Sequence, residues 1–69
     1  MNAEELRAMR LLLHTQLHVL EEVVDSRERA AGAEGEVRDL LLGRAAERER
    51  ALGELVESGR RLLLNSSST

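Results

Sequence analysis

The chain has no cysteine, no proline and no aromatic residue. Without Cys there is no disulfide and no thiolate metal site, and the redox compartment leaves no trace. Without Phe, Tyr or Trp a compact single-chain core is hard to fill. Without Pro a helix can run on unbroken. Ile and Lys are missing too, so all ten basic residues are Arg. That usage follows from GC-rich coding or from a use for a planar, weakly hydrated cation at interfaces. The longest strictly apolar runs are triplets of leucine, far below the ~20 residues of a membrane span. Glu4 and Glu5 stand where a secretory leader carries positive charge. An intracellular, cytoplasmic location is therefore expected.

What is present is narrow in kind. Leu, Ala, Glu and Arg dominate the 69 residues, the composition of long helices and coiled coils. A chain of this size seldom builds a core worth more than ~3–5 kcal/mol without a staple. With disulfides excluded and no metal site in view, partner helices from other chains are the expected staple. The net charge is −3. An acidic balance without stacking side chains argues against nucleic acid as a partner.

Two segments of nearly equal length flank residues 30–37, Ala-Ala-Gly-Ala-Glu-Gly-Glu-Val. The first reads as a helix over about 3–31. Asn2 is its N-cap, and Glu5 three residues later completes a capping-box pattern. Its apolar stripe is Leu6, Met9, Leu13, Leu17, Leu20 and Val24, widened by Leu12, Val19 and Val23, at helical spacing. The second reads as a helix over about 35–64. Its face is Val37, Leu41, Ala45, Leu52, Leu55 or Val56, Gly59, and Leu62 or Leu63. Residues 65–69 read as a disordered polar tail. Each half starts acidic and ends basic, as its own macrodipole favours. Asp25 and Arg29 form one of several favourable i→i+4 pairs.

These features predict an all-α fold, a two-helix antiparallel hairpin hinged at Gly32 and Gly35. Gly32 stands where a left-handed C′ glycine belongs. The hairpin register sets Leu13 beside Leu55, Leu6 beside Leu62 and Leu20 beside Arg48, with Glu21 in reach of that guanidinium. Leu13, Leu17, Leu20, Leu41, Leu52 and Leu55 are the expected core. The alternative is one continuous coiled-coil helix, because a single heptad frame passes through both glycines. That frame puts Arg27, Glu34 and Arg48 on its apolar seam. Two glycines within four residues also cost roughly 2 kcal/mol of helix propensity. The hairpin is the stronger reading.

The leucine triplets at 11–13, 40–42 and 62–64 each spread over roughly 200° of helix circumference. A two-helix seam cannot cover them. A four-helix bundle, or docking on another protein, can.

Chemistry finds little footing. His14 and His18 share a helix face at i and i+4, but a helical zinc site needs three or four ligands. A solvated face explains them better. Glu21 and Glu22 lack the cleft that would shift a carboxyl towards acid–base work. Arg44 and Arg48 border the stripe of the second helix. They either snorkel or pair with acidic groups on a neighbouring helix and set register. Residues 3–64 resemble coiled-coil and helical-bundle interaction segments in general, without a family signature. The expectation is a non-enzymatic helical interaction and oligomerisation module without cofactor, a scaffold or assembly subunit. An amphipathic segment lying on a membrane is the alternative, disfavoured by the acidic balance.

Overall fold

The computed structural model describes residues 1–67, with side chains through Asn65. Two helices make up the fold, α1 (Ala3–Ala31) and α2 (Gly35–Ser67). They fold back on each other as an antiparallel hairpin, so the continuous rod is not the structure.

α1 starts where its caps say it should. Asn2 is extended, and its Oδ1 accepts a hydrogen bond from the Glu5 N–H at 2.8 Å. The Asn2 carbonyl accepts from the Leu6 N–H at 3.0 Å. Together they satisfy amides that would otherwise be orphaned at the helix start. α1 ends by tightening. The Gly32 N–H donates to the Arg29 carbonyl at 3.1 Å and the Ala33 N–H to the Ala30 carbonyl at 3.2 Å. These three-residue closures need no left-handed residue, and Gly32 has φ −95°. The expected left-handed C′ glycine is therefore not at Gly32. The chain reverses with Gly35, whose φ is +62°, the only positive φ among the described residues. A side chain there would meet its own backbone.

α2 runs to Ser67, past Leu64, where the sequence reading stopped it. Asn65-Ser66-Ser67 are weak helix formers, but no Pro or Gly among them forces a stop. The expected disordered tail is thus helical through Ser67, and residues 68 and 69 lie outside the described residues.

The core is a seam, not a globule. In α1 the least exposed positions are Met9, Leu12, Gln16, Val19, Val23, Ser26 and Ala30. In α2 they include Leu41, Ala45, Leu52, Leu55, Gly59 and Leu62. Successive members lie three or four residues apart, except across Arg48, which fills the gap between Ala45 and Leu52 yet stays exposed. The buried members are small or β-branched: Val19, Val23, Ala30, Ala45, Ser26 and Gly59. Small side chains let two helices approach closely. They also leave much of the molecule uncovered. The radius of gyration is 15.7 Å, against about 11 Å for a compact domain of this length.

Candidate interaction faces

A one-residue step along an α-helix turns a side chain by about 100°. Because α1 and α2 run antiparallel, stepping one residue forward from the seam turns both helices towards the same side of the hairpin. On α1 that step lands on Arg10, Leu13, Leu17, Leu20, Val24, Arg27 and Ala31, with Leu6 continuing the row one turn earlier. On α2 it lands on Leu42, Ala46, Glu49, Gly53, Val56, Arg60 and Leu63. One side of the hairpin is therefore mostly aliphatic. Its Leu and Val side chains are between 37% and 56% exposed. Stepping one residue back gives Leu11, Thr15, His18, Glu22, Asp25 and Arg29 on α1. On α2 it gives Leu40, Arg44, Glu47, Ala51, Glu54, Ser58 and Arg61. This opposite side is mostly polar.

The ion pairs between helices mark both edges. On the aliphatic side, the Arg27 guanidinium donates to Glu49 from Nε at 2.7 Å and also from Nη2. On the polar side, Arg48 Nε lies 3.0 Å from Glu22 Oε2, and the other Glu22 oxygen lies 3.1 Å from His18 Nε2. Glu22 thus joins His18 on its own helix to Arg48 on the other. Asp25 and Arg29 pair at 3.2 Å along α1. All these groups are substantially solvated, so each pair contributes at most about 1 kcal/mol.

One polar contact crosses the seam. Gln16 Nε2 donates to the Leu55 carbonyl of α2 at 3.1 Å. Gly59 stands one turn further along α2. A Cβ there would lie 3.4 Å from that same Nε2. Gly59 thus leaves the amide just enough room to reach a helical carbonyl. This contact corrects the expected register: Gln16, not Leu13, meets Leu55, and Glu22, not Glu21, meets Arg48.

The sequence-predicted interaction residues divide in two. Leu41, Leu52, Leu55 and Leu62 lie in the seam, with Met9 opposite on α1, all half-buried. Leu6, Leu13, Leu17, Leu20, Val24 and Val37 are exposed, so Leu13, Leu17 and Leu20 are not core of the hairpin. The real seam of α1 runs one residue behind the leucine stripe. Each leucine triplet straddles the boundary. Leu12, Leu41 and Leu62 turn towards the seam, while Leu13, Leu42 and Leu63 turn onto the aliphatic side. Of the two candidate register residues, Arg48 pairs across the hairpin, and Arg44 borders a shallow open depression with Val37, Leu40 and Glu47. Gln16, Ser26 and Ala30 escape notice as seam residues because Gln and Ser are polar, Ala is small, and the leucine row draws the pattern to the neighbouring face. Their 3-4 spacing with Leu12, Val19 and Val23 was the available signal.

His14 and His18 gain no third ligand: among the described residues no group of three or more His, Cys, Asp or Glu is placed to hold a metal ion. No helix among the described residues is long and apolar enough to cross a membrane. No protein-family model, curated protein or solved structure matches this chain.

Proposed function

We propose that this hairpin is a helix-docking module, a non-enzymatic oligomerisation or scaffold element that joins other helices through its aliphatic side. The observation that carries the reading is the row Leu6, Leu13, Leu17, Leu20 and Val24. It is exposed along α1 while smaller residues fill the seam. A second quantity supports it. The accessible surface is 5454 Å², whereas a compact monomer of 7.7 kDa exposes about 4,300 Å². The excess, about 1,100 Å², exceeds the roughly 800 Å² that one partner contributes to a standard interface. An exposed aliphatic row on so open a shape is an association site or an aggregation liability.

Melting followed by circular dichroism over a wide range of protein concentration tests the reading. Stability linked to assembly rises with protomer concentration, so the midpoint should climb. A monodisperse monomer whose melting ignores concentration would contradict self-assembly. Co-sedimentation of such a monomer with phospholipid vesicles would favour the membrane-surface reading instead.

A further inference from the structure

We infer that the aliphatic side is covered by a second copy of this chain, laid face to face about a two-fold axis at right angles to the helices. The inference rests on the helix-docking reading and names its partner. The first argument is size. The hairpin is 52 Å long and 16 Å wide, so a second copy laid along its length has room for an interface of the standard size, roughly 800 Å² per partner.

The second argument is self-complementarity. A two-fold interface requires the same surface to match itself when turned end for end. Along α1 the row reads Leu6, Arg10, Leu13, Leu17, Leu20, Val24. Placing the axis midway between Leu13 and Leu17 sets Leu13 against Leu17 of the second copy, twice, and Leu6 against its Val24. Along α2, an axis between Gly53 and Val56 sets Gly53 against Val56, Ala46 against Leu63 and Glu49 against Arg60 of the second copy. Along α2 large side chains meet small ones and Glu49 meets Arg60, while along α1 leucines meet leucines and Arg10 lies against Leu20 of the second copy. The two placements must coincide along the hairpin. The Gln16 side chain reaches the Leu55 carbonyl and Glu22 reaches Arg48, which brings the two axis positions within about a turn of each other.

The third argument is charge at the border. Within the hairpin, Arg27 reaches Glu49 diagonally across the edge of the antiparallel seam. The equivalent diagonal between two α1 helices joins Arg7 to Glu28 of the second copy, and the symmetry repeats that pair. The two turns then lie at opposite ends of a four-helix bundle in which every neighbouring pair of helices is antiparallel.

Native mass spectrometry and light scattering of the whole chain should give a dimer, twice 7.7 kDa. Leu17→Glu should yield a helical monomer, because Leu17 lies outside the seam. Leu11→Glu, on the opposite side where Leu11 is 69% exposed, should remain dimeric. Arg7→Glu should raise the dimer dissociation constant several-fold, and adding Glu28→Arg should restore it. The chain has no cysteine of its own, so single introduced cysteines carry spin labels cleanly. Labels at position 31 should lie about 48 Å apart in the dimer at 1.5 Å rise per residue, and labels at position 14 close together. A dimer unaffected by Leu17→Glu, or short distances at position 31, would overturn this arrangement while leaving the docking reading intact. A wild-type monomer with concentration-independent melting would overturn the second copy as occupant and, with it, self-assembly in the proposed function.

Discussion

Two lines of residues on α1, one position apart, meet different fates. The line Leu12, Gln16, Val19, Val23, Ser26 and Ala30 faces α2 and is wholly or partly buried. The line Leu13, Leu17, Leu20 and Val24, rotated by about 100°, stays exposed. Hydrophobicity alone would put the leucines inside. Between Val19 and Ala30 close approach of the two helices selects against them, because a thin seam accepts Ala, Ser and Val more readily than Leu, whereas Leu12 and the α2 leucines are only half-buried. A small residue in a seam marks where helices meet first. A large one beside it marks where further layers go.

The sharpest way to break this comparison is Leu17→Ala, followed at two protein concentrations. Where assembly buries Leu17, truncation should remove about 2–5 kcal/mol, the usual range for a core Leu. In dilute solution, where the hairpin stands alone, the midpoint should barely move. A large loss at both concentrations would mean that Leu17 belongs to the seam.

The buried line is probed next by Ala45→Leu. Ala45 is fully buried, and added methylenes in a tight seam force the helices apart at about 1–3 kcal/mol. Equilibrium denaturation in urea measures the loss. No loss would mean that the seam is loose at this level.

The two turn glycines make a smaller paired test. Gly35→Ala, at φ +62°, should destabilise by about 1–2 kcal/mol. Gly32→Ala, at φ −95° with its nearest non-neighbouring atom 3.8 Å from the added methyl, should stabilise by about 0.4–1 kcal/mol. Thermal melts of the two single variants check the signs. Equal effects would mean that the reversal is shared between the two positions.

Smallest is Gln16→Ala. It removes one hydrogen bond, worth about 0.5–1.5 kcal/mol. The larger consequence is register, which labels at the exposed positions 11 and 61 report as a broadened distance distribution. An unchanged narrow distribution would mean that packing alone fixes the register.

Helix α1 and the hairpin were legible from the sequence because they rest on local rules. Asn2 caps, the Ala30-to-Val37 stretch breaks the periodicity, and each half carries its own charge gradient. The face of α2 was also legible, since Leu41, Leu52, Leu55 and Leu62 are its spaced aliphatics and no competing row outweighs them. The seam of α1 was not. Periodicity ranks faces by hydrophobic mass, and the heavier face of α1 is not the one that meets α2. Register failed for a related reason. It depends on Gly35 rather than Gly32 carrying the reversal, and on a Gln amide finding a carbonyl on the other helix, neither of which has a spacing to read. The end of α2 is not legible because residues 65–67 are polar and weak helix formers, although nothing among them forces a stop.

The short turn has a bearing on how the chain finds this shape. Bringing Ala30 and Ala45 into one seam closes a small loop, whereas joining Met9 and Leu62 closes a loop several times longer. Loop-closure entropy grows only with the logarithm of length, but it falls entirely on whichever contact forms first. Contacts nearest Gly35 are the least expensive to make, and each one made shortens the loop left for the next. The hairpin is thus built to close from its turn outwards, with the free ends joining last and parting first.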